Sequence, residues 1–195
     1  MNYNLPNVLT LIRIALIPVL VLIFYLPFAW VHWATTATFG LAALTDWLDG
    51  YLARRLGETS AFGAFLDPVA DKLMVAAALV LLVDQVPIEG LHGGFIAVPA
   101  VIIIGREISI SALREWMAEI GERALVAVST IGKVKTTVQM IAILLLLFGE
   151  PIGPIPTAEL GVAFLYLAAV LTLWSMFVYL KAAWPLLSAP NDKEN

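Results

Sequence analysis

DWLDGYLARRLGETSAFGAFLDPVADK, residues 46–72, carries four carboxylates, Asp46, Asp49, Asp67 and Asp71, at spacings of three and four on either side of a short polar break. Such spacings put side chains on one helix face, so Asp46 shares a face with Asp49, and Gly63 with Asp67 and Asp71. With residues 57–60 as the turn of a helical hairpin, the two arms are nearly symmetric about residue 58. Asp49 then lies level with Asp67, Asp46 with Asp71, and Ala53 with Gly63. Four carboxylates facing inward between two helices repel one another at neutral pH, and a bound cation relieves that repulsion. All-oxygen donors suit Mg2+ or Mn2+, whereas zinc prefers nitrogen and sulfur.

The chain around this stretch is built for lipid. Of its 195 residues 61% are hydrophobic and 13% charged, and the mean hydropathy is +0.92. Soluble domains carry about 25% charged residues. The expectation is an all-α integral membrane protein forming a single domain over residues 1–195. A spanning helix takes about 20 apolar residues. Six such segments can be drawn, about 8–27, 30–55, 61–83, 95–118, 129–148 and 158–184. Residues 4–7 precede the first as a short interfacial segment, and Pro27, Pro87, Pro99 and the prolines from Pro151 to Pro156 mark breaks or helix starts. The N-terminus has no basic stretch and no small-x-small cleavage site, so the first apolar run reads as a retained helix. Cysteine is absent, which excludes disulfides, thiolate metal sites and a cysteine nucleophile. A net charge of −4 says little about partners, and no nucleic acid is expected among them.

Basic residues orient the spans. The turns near 26–31, 84–94 and 149–157 contain no Lys or Arg, and every basic residue lies on or near the opposite side. The positive-inside rule then puts both termini, and the four-carboxylate hairpin, at the cytoplasmic face. At the rise of an α-helix Asp46 lies about 16 Å from the turn, so the acids face a water-filled cleft, because charge in lipid is costly and functional. His32 and His92 fall in the outer turns. A general base at the hairpin is therefore a carboxylate, a lysine or a bound hydroxide.

Plainer readings exist for each residue alone. Asp67-Pro68 has the form of an N-cap followed by a proline at the first helical position. Asp71 and Lys72 neutralise each other at a membrane surface, and Gly50, Ala53, Gly63 and Ala64 are small enough for close helix contact. Four acids on facing arms are harder to explain that way.

The stretch fits D-x2-D-G-x2-A-R-x8-G-x3-D-x3-D at every fixed position: Asp46, Asp49, Gly50, Ala53, Arg54, Gly63, Asp67 and Asp71. It resembles the signature of the CDP-alcohol phosphatidyltransferase family, membrane enzymes with six spanning helices, often homodimers. They move a phosphatidyl group from a CDP-linked lipid to an alcohol and release CMP. The resemblance implies two divalent cations, Mg2+ or Mn2+, held by Asp46, Asp49, Asp67 and Asp71, with Asp71 as general base. It implies a nucleotide site floored by Gly50, Ala53 and Gly63, to which Asp49 and Asp67 also belong. Arg54 is a candidate donor to the nucleotide or its phosphates, and Arg55 reads as a surface anchor. A two-metal clamp suits displacement at phosphorus. No Ser, Cys or His stands near the motif as a nucleophile, so transfer is expected to be direct.

Three further stretches, residues 4–13, 105–107 with 114–116, and 132–139, are similar to the branch of the family that makes phosphatidylglycerophosphate from CDP-diacylglycerol and glycerol 3-phosphate. An anionic acceptor needs cations of its own, and Arg106, Lys133 and Lys135 are the candidates. On one helix Lys133 and Lys135 diverge by about 200°. Lys135 is thus favoured, with Lys133 available if it precedes the helix. Arg106 has Glu107 as an alternative partner. Arg114 with Glu115 and Arg123 with Glu122 read as solvated rim, and the tryptophans as interfacial belt. Thr10 and Arg13 rank lower on the acceptor side, because a basic residue near the start of a span ordinarily anchors it. The implied setting is the bacterial cytoplasmic membrane, with the chain a homodimer. The rivals are a sibling transferase with a cardiolipin- or phosphatidylinositol-phosphate-type acceptor, and a divalent-cation transporter.

Overall fold

The computed structural model describes residues 5–56, 61–121 and 130–188; within its helices the side chains of residues 5, 6, 47, 49–56, 61, 62, 64, 130, 131, 133, 186 and 187 are not described. The described residues form six helices: α1 (Leu5–Phe24), α2 (Val31–Leu56), α3 (Ala61–Asp84), α4 (Gly94–Glu119), α5 (Thr130–Phe148) and α6 (Thr157–Leu187). Three of them, α1, α4 and α6, contain stretches long and apolar enough to cross a membrane, and α5 carries a shorter apolar run, Val134–Phe148.

The helices match the apolar segments closely, with instructive differences at the ends. α1 begins at Leu5, so residues 5–7 belong to the helix instead of a separate interfacial segment. Pro6 is tolerated there because the first turn has no use for its missing N–H. Pro68 and Pro99 lie inside α3 and α4 and start neither helix. The reading of Asp67-Pro68 as an N-cap therefore fails, and Asp67 is free to present its carboxylate sideways from the helix. Pro27, Pro87 and the 151–156 prolines do fall between helices. The α5–α6 turn is closed by a single bridge between Ile152 and Ile155 and uses Gly149 at φ +69°, where a side chain would also come within 3.1 Å of Pro87.

The outer surface is largely apolar, and some charged residues lie inside. Arg13 is 1% and Lys135 3% exposed, whereas Leu22 is 70% and Val101 71% exposed. Lipid tails do not drive apolar side chains together, so the interior is assembled by close packing and polar contacts. On α6 the buried stripe is Leu165, Ala168, Thr172, Ser175, Tyr179 and Ala183, all but Leu165 small or polar, at spacings of three and four. Gly161 on the same helix lets α5 approach, since a Cβ there would lie 2.7 Å from Leu146 Cγ. The main core gathers Leu20, Phe39, Leu79, Ile103, Ile143 and Leu165, and a smaller cluster joins Ile110, Met117, Tyr179 and Ala183 between α4 and α6.

α1 packs against both α2 and α3, which among the described residues touch each other only sparingly. α1 and α3 run parallel, and three polar contacts hold their register. Thr10 bonds Asp67, Arg13 bonds Asp71, and the Tyr25 hydroxyl donates to Asp84 at 2.9 Å, across separations of 57, 58 and 59 residues. That last bond holds the exposed Tyr25 hydroxyl above its ordinary pKa. α4 and α6 pack alongside, and α5 closes against α6 and α2.

Candidate active site

The site begins with two carboxylates from different helices. Asp46 on α2 and Asp71 on α3 converge on one nitrogen of Arg13, with Arg13 Nη1 3.0 Å from Asp46 Oδ1 and bonded to Asp71 Oδ1. The carboxylates are near enough to interact directly. This is the pairing the hairpin symmetry predicts. One turn back on α3, Asp67 accepts a hydrogen bond from the Thr10 hydroxyl. Gly63, one turn further, is buried. Asp49, Gly50, Ala53 and Arg54 lie on the last three turns of α2, but their side-chain positions fall outside the described residues, as do the turn at 57–60 and the rim pair Glu122–Arg123.

Thr10 and Arg13 are the residues that reasoning from sequence placed too low. Both are fully buried against the acids, so Arg13 is no surface anchor. A signal was available. Asn7, Thr10 and Arg13 are polar residues at spacing three on an otherwise apolar helix, and a charge on such a stripe faces a partner, not lipid.

One guanidinium cannot neutralise three carboxylates, so the described acids retain excess negative charge of the kind a hard cation offsets. The donors are all oxygen, which suits Mg2+ or Mn2+. Among the described residues no group of three or more acids or histidines is close enough to form a metal cage, and Asp49 lies outside that set. Both histidines are remote from the acids. His32 stands in the first turn of α2, 3.3 Å from Glu150 of the α5–α6 turn, and His92 lies in the α3–α4 connection.

A cleft of about 400 Å³ opens beside Asp71, walled by α3, α4 and α5. Asp71 and Lys72 line it from α3, Arg106, Glu107 and Arg114 from α4, and Lys135 from α5. Arg106 and Lys135 both line this cleft, and they share a counter-ion: Glu107 Oε1 is 3.3 Å from Arg106 Nη1 and bonded to Lys135 Nζ. The alternative partner anticipated for Arg106 is present, and it occupies Lys135 as well. α5 starts at Thr130, so Lys133 lies within the helix and does not precede it; its side chain is outside the described residues. Arg114 differs from expectation. It lines the cleft and donates to the Tyr179 hydroxyl at 2.9 Å, because α6 packs against that face of α4 and removes it from the solvated rim.

The family model for CDP-alcohol phosphatidyltransferases matches residues 3–174, which include every motif position and every residue lining the cleft. The chain belongs to the CDP-alcohol phosphatidyltransferase family. It is 59% identical over 184 residues, 94% of this chain and 96% of the other, to a protein of Pectobacterium atrosepticum named CDP-diacylglycerol–glycerol-3-phosphate 3-phosphatidyltransferase. Proteins of the same name from Salmonella choleraesuis and Pseudomonas fluorescens are 54% and 53% identical over 94% and 98% of this chain. As a CDP-alcohol phosphatidyltransferase, the chain carries its signature acids on α2 and α3, and its α1 completes their surroundings.

Proposed function

We propose that this protein transfers the phosphatidyl group of CDP-diacylglycerol to glycerol 3-phosphate, giving phosphatidylglycerophosphate and CMP. The observation that supports the reading is the cleft lined by Asp71 together with Arg106 and Lys135, two cations of the kind an acceptor's phosphate calls for. The names of relatives above half identity agree with it. A serine or choline acceptor carries no phosphate for such cations to hold.

In this reading Arg106 and Lys135, with Lys133 as a further candidate, hold the phosphate of glycerol 3-phosphate so that a glycerol hydroxyl points at Asp71. Asp71 takes the hydroxyl proton as the oxygen forms its bond to the phosphatidyl phosphorus. The bond from that phosphorus to the CMP oxygen breaks, and CMP leaves with the electron pair. Asp46, Asp49, Asp67 and Asp71 would hold two divalent cations, Mg2+ or Mn2+, which supply positive charge to the attacking and leaving oxygens. Gly50, Ala53 and Gly63 leave room for the nucleotide, to which Arg54 donates. Arg13 and Thr10 fix the Asp46, Asp71 and Asp67 carboxylates from α1, so that the acids are set before substrates arrive.

All six helices are read as spans of one domain in the bacterial cytoplasmic membrane, with both termini and the acids on the cytoplasmic side and the chain a homodimer. The absence of Lys and Arg from the three opposite turns supports that orientation. The donor then reaches the acids laterally from the inner leaflet. Turnover of CDP-diacylglycerol by the purified protein tests the reading. CMP release that depends on glycerol 3-phosphate and stops with chelator is expected; preference for an uncharged alcohol, or cation flux in liposomes without turnover, overturns it.

A further inference from the structure

Two residues of α6 contact the cleft's arginines without lining the cleft. Ser175 Oγ accepts a hydrogen bond from Arg106 Nη2 at 2.8 Å, and Tyr179 Oη accepts one from Arg114 Nη2 at 2.9 Å. The guanidinium carbons of Arg106 and Arg114 lie 5.4 and 5.2 Å from the Tyr179 ring centroid, both within cation–π range. Ser175 and Tyr179 are four residues apart, on one face of α6, and both are buried. Among the described residues, every wall of the cleft comes from α3, α4 or α5.

We propose that Ser175 and Tyr179 are positioning residues that aim Arg106 and Arg114 into the cleft. The inference rests on reading that cleft as the acceptor's anion site. A hydroxyl has one proton to give. Ser175 Oγ stands 3.1 Å from the Thr172 carbonyl, which takes that proton and leaves a lone pair for Arg106. Its orientation is thereby set by the α6 backbone. Tyr179 is clamped by Ile110, Met117 and Ala183, so its ring is a rigid surface against which both guanidinium groups rest. Two like charges on one helix, eight residues apart, otherwise separate along flexible stems. The shared ring and the two hydroxyls hold them at a fixed spacing before any anion binds, and that lowers the cost of ordering them on binding. Both residues lie beyond residue 174, where the family match ends.

The test compares Tyr179→Phe, Tyr179→Leu and Ser175→Ala in the full-length protein with CDP-diacylglycerol and glycerol 3-phosphate, with Lys135→Ala as reference. Tyr179→Leu is expected to raise the acceptor KM roughly tenfold or more, with the donor KM within about twofold of the parent. Tyr179→Phe keeps the ring and recovers a large part of that loss, and Ser175→Ala gives a smaller rise confined to the acceptor. If Tyr179→Leu fails to fold, Tyr179→Phe and Ser175→Ala carry the test, since both nearly preserve shape. Donor and acceptor KM rising together, or both KM values unchanged in the two shape-preserving variants, overturns the proposal. A normal acceptor KM in Lys135→Ala would instead remove the acceptor-site reading itself. A raised KM in Lys135→Ala beside normal α6 variants would remove only the positioning role.

Discussion

Arg13 on α1 is bonded through one nitrogen to Asp46 on α2 and Asp71 on α3, with the Asp46 oxygen 3.0 Å away. Three helices therefore meet at one guanidinium. The two carboxylates are the outermost pair of the motif's symmetric hairpin, and among the described residues α1 packs more extensively against each of their helices than the two pack against each other.

Removing that guanidinium should release the acids. Arg13→Ala is expected to lower turnover by about 100-fold or more and to destabilise the protein by less than breaking a fully buried pair costs, because Asp46 and Asp71 are both about half exposed to solvent. Arg13→Lys should recover part of the stability, because it keeps the charge without the planar fork. Thermal unfolding and steady-state rates measured side by side check this; a fully active Arg13→Ala protein would contradict it.

Asp71→Asn keeps the shape of the side chain and removes its capacity to take a proton. Turnover should fall by roughly 100- to 10,000-fold, while binding of CDP-diacylglycerol is partly retained. Loss of the folded protein in place of lost chemistry would assign Asp71 a structural role, and detergent-solubilised yield beside donor binding separates the two.

Lys135→Ala should raise the acceptor KM by about tenfold or more, as loss of a charged hydrogen bond does, and leave the donor KM nearly unchanged. Glu107 gives the complementary case. Its carboxylate pairs with both Arg106 and Lys135, so Glu107→Gln leaves two neighbouring cations without their anion. The variant should be less stable alone and should gain more from added glycerol 3-phosphate, read as a larger rise in Tm than the parent shows. Equal ligand-induced shifts in both proteins would argue against an anion site there.

Gly161 tests packing away from the chemistry. A methyl group there meets Leu146 Cγ at 2.7 Å and the Leu146 backbone nitrogen at 3.1 Å. Gly161→Ala should cost about 1–3 kcal/mol of stability. Pairing it with Leu146→Ala should return part of the loss, because the two sites share one contact. Turnover per folded molecule is expected to stay within about twofold of the parent.

The fold was largely legible because its determinants are local. Apolar runs about the length of a bilayer crossing set six helices to within a few residues, and prolines outside those runs set the turns. Pro99 misled because a proline signals a break only where the surrounding helix is not held by its neighbours. The spacing of Asp46, Asp49, Asp67 and Asp71 likewise carried the family signature, and hairpin symmetry paired Asp46 with Asp71. Contacts between different helices were not legible in the same way. The polar stripe of α1 says that Arg13 faces a partner, but nothing local says that the partner is the acids, that Glu107 reaches Lys135 as well as Arg106, or that Arg114 rests on Tyr179.

What the sequence determined by itself is the set of helices and the chemical kind of the site, since both follow from periodicity and residue type along a short stretch. Which helix lies between which others was decided only in three dimensions. α1 came to rest beside α2 and α3, and α6 beside α4, because interior surfaces in lipid are chosen by fit and by polar partners, not by hydrophobicity, which every face of these helices already shares.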